Sequence, residues 1–332
     1  MRGGVLAASL LLGGCAEQDC ELVFLRSAGA DMPIDVCGDP SEAVVVMLHG
    51  GPGSGAEATR EYFGGIAEHY AVANWSQRAA GASQGNARPE TMTPEQMHED
   101  TRQVVQLLRT LHGDPAIFLM SHSWGGAVAA GYLLEYGDDG IAGWISVASD
   151  YSVMRTAELS AQWVQREAAE RIAAGDDTAY WREAIGWYDD YPSPSHYVEG
   201  RHFEHLERLG AEFHGDPEPL YGARDVLGWS SRATGFDILV NIAYSYRELW
   251  IDEAMRLDYR AQMGRLTLPV SMMNGRHDGF DPVELAQEGY DAVGTDPSEK
   301  EVVIFEHSAH FPMIEEERAF NDAVVAFVDR HR

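Results

Sequence analysis

Lysine is almost missing from this chain. Of 332 residues, 24 are Lys or Arg, and only Lys300 is a lysine; 53 are Asp or Glu, for a formal net charge of -29. A surface this negative repels phosphate backbones and anionic lipid heads, which excludes nucleic acid as a natural partner. The same composition suits a salty habitat, or a GC-rich genome that writes Arg for Lys. There is no apolar run of about 20 residues that could span a bilayer as a helix. HExxH, CxxC and phosphate-loop patterns are missing, so no metal and no cofactor are implied. Fixed-period repeats are lacking too, and Gly and Pro are not in excess, which removes solenoid, collagen and disordered readings. With 45% hydrophobic residues the chain can bury a full core.

Cysteine is scarce, and its three positions are informative. The N-terminus reads MRGGVLAASLLLGGC, with one arginine, an apolar run from Val5 to Leu12, small residues and then Cys15. These are the proportions of a signal peptide. Leu12-Gly13-Gly14-Cys15 also resembles a bacterial lipobox, in which the cysteine is lipidated and becomes the first residue of the mature protein. Export, to the periplasm or as a lipoprotein attached to the membrane through Cys15, is the expectation. Cys20 and Cys37 then remain as a pair. Asp19–Ser27 and Met32–Cys37 read as two strands around a turn at Ala28-Gly29, equidistant from both cysteines. Opposed residues of an antiparallel pair lie about 4.5–5.5 Å apart at Cα, within the span of a disulfide, which an oxidising compartment would close.

Beyond the hairpin, buried strands and amphipathic helices alternate. Ala43–His49 is a continuous apolar run, as expected of a strand covered on both faces. Val72–Gln77 follows, and Thr93-Pro94-Glu95-Gln96 then opens a helix with Thr as N-cap, Pro at N1 and Gln at N3. Ala116–Ser121 is the next strand, then a helix from Trp124 to about Tyr136, then a strand at Ile141–Ser149. This alternation predicts an α/β protein with a mostly parallel sheet. From Asp150 to Met263 no buried strand is evident, only aromatic-rich helical stretches such as Ala157–Ala174 and Ile242–Leu257. Strands resume at Leu268–Asn274 and Glu301–Glu306, and a helix from Glu315 to His331 ends the chain. The division is a leader at 1–15, a first core part at 16–150, a helical cap at 151–263 inserted after the sixth strand, and a second core part at 264–332. Caps of this kind shape the substrate pocket.

The chemistry sits at strand ends. The strand AIFLMS runs into Ser121-His122-Ser123-Trp124-Gly125-Gly126 and straight into a helix, which is the setting of a nucleophile elbow at Ser123. That turn is tight enough to require small residues two before and two after the serine, here Ser121 and Gly125. His49-Gly50-Gly51-Pro52-Gly53 follows another buried strand. Its Gly51 N–H, with that of Trp124, would form an oxyanion hole, each donor worth about 3–4 kcal/mol to the transition state. Asp278 lies just past the strand LPVSMM and His310 just past EVVIFE, giving the order Ser…Asp…His of this arrangement. His310 would take the proton of Ser123, and Asp278 would orient the imidazole. Asp281 and His307 are the rival positions.

HGGPG, WSQRAAGAS, SHSWGGA, GRHDGFDP and EHSAHFP together resemble the proline iminopeptidase-like branch of the α/β hydrolases, from about residue 40 to the C-terminus. The resemblance implies an α/β-hydrolase fold and release of an N-terminal residue, often proline, without metal or cofactor. The substrate would be a short peptide or another small molecule. Relatives of the same shape act on esters and other amides. The family usually reads Asp-Gln-Arg-Gly where this chain has Ser76-Gln77-Arg78-Ala79, so a carboxylate and a glycine are missing. Cap glutamates hold the substrate ammonium in the family; Glu158, Glu183 and Glu248 are candidates here only by lying in the cap. A carboxylic ester or lactone hydrolase with the same triad is the second reading. A non-catalytic binding lipoprotein on this scaffold is the third.

Overall fold

The computed structural model describes residues 20–85, 87–190, 200–215, 235–250 and 254–332. The expected leader, including Cys15, lies outside them. Eight main strands form the sheet: β1 (Cys20–Ser27), β2 (Ala30–Cys37), β3 (Ala43–Leu48), β4 (Ala71–Trp75), β5 (Ala116–Ser123), β6 (Ile141–Ser149), β7 (Val270–Gly275) and β8 (Lys300–Phe305). A ninth, two-residue strand at Gln84–Gly85 pairs with β2. The spatial order is β1-β2-β4-β3-β5-β6-β7-β8. The first two contacts along this order, β1 with β2 and β2 with β4, are antiparallel; all the others are parallel.

Both faces of the parallel strands are covered, which is why their sequences are continuously apolar. All six residues of β3 are buried. One face packs Val44, Leu119 and Trp144 against α1 (Pro94–Leu111), α2 (Gly125–Tyr136) and α7 (Glu284–Ala292). The other packs Phe118, Ile145 and Val147 against Phe320 and Phe327 of α8 (Glu317–His331). As the capping pattern predicts, the Thr93 side chain accepts the Gln96 N–H at the start of α1. At the far edge, β1 and β2 pair Cys20 with Cys37, and a disulfide joins them with Cα atoms 4.3 Å apart.

Between β6 and β7 stand the cap helices α3 (Val153–Ala174), α4 (Thr178–Trp187), α5 (Arg201–Leu209) and α6 (Gly235–Ser245). The single helix expected at Ile242–Leu257 is not what forms. Instead α6 ends at Ser245, a wider π-type turn follows at Tyr246–Trp250, and a 3-10 turn occupies Ala254–Arg256. The end of α6 is held by core loops: Tyr244 Oη donates to the Ala87 carbonyl and Ser245 Oγ to that of Ala79. No helix among the described residues is long and apolar enough to cross a membrane.

Candidate active site

Ser123 sits between β5 and α2 with φ of 53°, in the left-handed region that non-glycine residues avoid at a cost of about 1–2 kcal/mol. The turn that holds it there needs small neighbours. A Cβ on Gly125 would lie 2.0 Å from the Leu48 carbonyl oxygen, and one on Gly126 would lie 2.5 Å from Ser149 Cβ. Ser121 is fully buried, and its hydroxyl accepts the Trp144 indole N–H at 2.9 Å and meets Ser149 Oγ at 3.1 Å. A glycine would leave that indole N–H without this acceptor, which gives the serine a structural reason to be there.

The HGGPG loop lies directly against the serine: a Cβ on Gly50 would come within 3.0 Å of Ser123 Cβ. Two donors pin the Gly50 carbonyl, Ser54 Oγ at 2.6 Å and His49 Nδ1 at 2.8 Å. The other ring nitrogen of His49 accepts the Gln77 N–H at 3.0 Å. Burial pushes His49 down to about 4, so the ring stays neutral in this role. In a trans peptide the carbonyl and the next N–H point opposite ways, so fixing the Gly50 oxygen fixes the Gly51 N–H on the other side.

His310 and Asp278 are brought together by the loops after β8 and β7. His310 Nδ1 donates to Asp278 Oδ2 at 3.0 Å, while Asp278 Oδ1 accepts the N–H groups of Phe280 and Asp281 at 2.8 and 2.9 Å. The Asp278 side chain is fully enclosed, and His310 is 6% exposed. Burial disfavours the charged ring, but the charge and hydrogen bond of Asp278 outweigh it. With smaller help from Asp281 and Glu212, His310 is raised to about 9. The ring's Nε2 takes no part in this bond. The rival Asp281 stands farther off, its Oδ2 3.7 Å from the same Nδ1. The rival His307 is exposed, and its N–H is taken by Glu316. His122 supports the histidine loop from below: its Nε2 donates to the His310 carbonyl at 2.9 Å, and burial pushes its ring down to about 3.

A short strap from the cap holds both loops. The Ala211 carbonyl accepts the Gly279 N–H, and that of Glu212 accepts the His310 N–H at 3.1 Å. Phe213 stacks on Phe311 at 5.2 Å, and His214 on His277 at 3.5 Å between ring centres. Burial raises the half-buried Glu212 carboxyl group above the usual range, and its charge acts on His310. Among the described residues no Arg or Lys pairs with it. Its position in sequence gave no sign of this, since nothing local distinguishes it from other cap acids. Glu158, by contrast, pairs with Arg155, Glu248 pairs with Arg247, and Glu183 is exposed. A cavity of about 190 Å³ in the cap is lined by Tyr180, Glu183, Trp187, Arg201, Glu204 and His205, none of them a residue of the Ser123 site.

The Ser76-Gln77-Arg78-Ala79 departure has a clear local structure. Ser76 Oγ donates to Glu57 Oε1 at 2.9 Å, so a carboxylate reaches this point from a different loop. Arg78 is buried and clamps Asp100 through Nε and Nη2 at 2.6 and 2.9 Å. Ala79 adopts φ of 52°, the backbone a glycine would take freely. Among the described residues no group of three His, Cys, Asp or Glu could hold a metal ion.

The model of the alpha/beta hydrolase fold family matches residues 43–317. The probable aminopeptidase YbaC of Bacillus subtilis is 25% identical over 304 residues, covering 88% of this chain and 91% of that protein. Among solved structures, the proline iminopeptidase of Mycobacterium smegmatis superposes with a TM-score of 0.67 at 17% identity, over 94% of this chain and 98% of that one. An esterase from Exiguobacterium antarcticum superposes with a TM-score of 0.61 at 19% identity, over 92% and 98%.

Proposed function

The chain belongs to the alpha/beta hydrolase fold family, and from that premise we propose that it is a serine hydrolase that releases N-terminal residues from short peptides or amides. Ser123 is the nucleophile and His310 the general base, while Asp278 holds the imidazole with Nε2 toward the serine. The Gly51 and Trp124 N–H groups receive the oxyanion, Gly51 being fixed by the pinned Gly50 carbonyl and Trp124 standing at the start of α2, where the helix dipole favours negative charge. Attack on the scissile carbonyl gives an acyl-enzyme with departure of the amine, which takes its proton from His310; water then releases the acid.

The observation that carries the choice of substrate is Glu212. It is a half-buried cap carboxylate paired with no Arg or Lys among the described residues, and its charge acts on the general base His310, where the amino group of a substrate would need a counter-charge. Likeness to aminopeptidases over nearly the whole chain supports the same choice. The test is turnover of a panel of amino-acid arylamides and short p-nitrophenyl esters by wild type and Ser123→Ala. Release from proline arylamide that vanishes in the variant is the expected result. Cleavage of esters alone would refute the aminopeptidase assignment and leave a carboxylesterase. No labelling of wild-type Ser123 by a fluorophosphonate would refute the catalytic reading altogether.

Export, with lipidation of Cys15, belongs to the same proposal. The leader sequence supports it, as does the Cys20–Cys37 disulfide, which an oxidising compartment would maintain. Palmitate incorporation that disappears in Cys15→Ala, in a bacterial host, is the expected result; an unprocessed cytosolic product would refute it.

A further inference from the structure

Two carboxyl groups, rather than one, face the nitrogen of His310 that must be oriented. Asp278 Oδ2 lies 3.0 Å from His310 Nδ1 and Asp281 Oδ2 lies 3.7 Å from it. Both come from the turn after β7, and that turn fixes them together. The Asp281 N–H donates to Asp278 Oδ1 at 2.9 Å, and Asn274 Nδ2 donates to the Asp281 carbonyl at 2.9 Å. Asp281 is 3% exposed, so its carboxyl group is largely shielded from bulk water. We propose that Asp281 is a second positioning acid for His310, able to accept the Nδ1–H when the Asp278 carboxylate is removed. This rests on the reading of Ser123, His310 and Asp278 as the catalytic triad.

The two acids share one enclosed site. Burial raises Asp281 well above the usual carboxylate range; the charges of Asp278 and Asp150 add to this, while His310 and the Ser123 hydroxyl oppose it. Asp281 is therefore harder to ionise than an ordinary carboxyl group. The other groups facing this region are Asp150, itself raised to about 7 by burial, neutral His122 from the elbow, and Glu212 from the strap. Asp278→Asn would remove one of the like charges that make Asp281 harder to ionise. Asp281 would then release its proton to solvent more readily and become the carboxylate nearest Nδ1. Its 3.7 Å distance needs to shorten by about 0.5–1 Å to reach hydrogen-bond length. The amide oxygen that this substitution leaves at position 278 can still accept the two backbone N–H groups, so the turn is retained.

The experiment compares wild type, Asp278→Asn and Asp278→Asn/Asp281→Asn by the rate of fluorophosphonate labelling of Ser123 between pH 5 and 10. One-dimensional proton NMR of the hydrogen-bonded His310 Nδ1–H accompanies it. Loss of an orienting acid with no substitute costs about 10⁴-fold. We expect about 10²-fold for the single variant and about 10⁴-fold for the double. The downfield Nδ1–H resonance should persist in the single variant and vanish in the double. The alkaline-shifted rise of the labelling rate should also survive in the single variant only. A merely structural Asp281 would leave the resonance absent from both variants and their rates equal, and that result overturns the proposal. A wild type that is not labelled would refute the hydrolase reading instead, while the resonance would still decide the role of Asp281.

Discussion

Replacing Glu212 by glutamine should separate recognition of the substrate amine from the chemistry of the triad. The Glu212 main-chain carbonyl accepts the His310 N–H, and this bond is untouched by the substitution, so the strap keeps its place. What changes is the half-buried carboxylate, which would meet the substrate ammonium in a charge-assisted hydrogen bond. Such bonds contribute about 1.5–3 kcal/mol, so kcat/KM for proline arylamide should fall about 10- to 150-fold. A p-nitrophenyl acetate substrate carries no ammonium and should change by less than about threefold. One side effect must be kept apart: Glu212 also contributes to raising His310, so its loss moves the pH profile slightly to the acid side. Full pH profiles should therefore be fitted for both enzymes and compared at equal fractions of neutral His310, below the range near about pH 8 where a substrate α-amino group loses its charge. An N-acetylated arylamide, which has lost the charge, should respond like the ester. Equal losses on amide and ester would refute the reasoning and make Glu212 a part of the histidine's support.

Three other outcomes follow from the site and the edge hairpin. His310 must be neutral to act as base and is raised to about 9, so kcat/KM should climb with pH and reach half its maximum near pH 9; a rise centred near 6.5 would contradict the Asp278 geometry. The same raised group stabilises the fold fully below pH 6.5, and that contribution should be lost as pH passes through about 9, read as a fall in the urea midpoint. Ser123→Gly should abolish acyl transfer yet raise stability by about 1 kcal/mol, because it relieves the left-handed backbone at φ of 53°; an unchanged or lower urea midpoint would refute the strain. Reduction of the Cys20–Cys37 bridge, which closes a sequence separation of 17, should lower stability by about 3 kcal/mol, seen as a lower Tm in dithiothreitol with no change in the pH profile.

Much of this protein is written in local sequence. The apolar runs that became β3, β5 and β6 could be read because a strand covered on both faces has no polar positions. Ser123 could be read because a strand, a tight turn and a helix leave few choices of residue around a serine, and Gly125 has no space for a side chain. Cys20 and Cys37 could be matched because a short hairpin fixes register by counting from its turn. The order Ser…Asp…His marked the ends of three strands, and in the sheet β7 lies beside β8 while β5 is one strand away across β6.

Other features depend on groups far apart in the chain, and no spacing encodes them. Asp278 and Asp281 are three residues apart and chemically alike; only the fold sets one at 3.0 Å from His310 and the other at 3.7 Å. Glu57 meets Ser76 across 19 residues, and Arg78 finds Asp100 across 22, so a motif that lacks its own carboxylate has one supplied from elsewhere. The end of α6 is tied by Tyr244 and Ser245 to loops more than 150 residues away. Glu212 was hidden for the same reason. Periodicity reports which face of an element is apolar, but the cap carboxylate whose charge acts on His310 was selected by how a cap strap packs on two core loops, and that is a property of the tertiary structure alone.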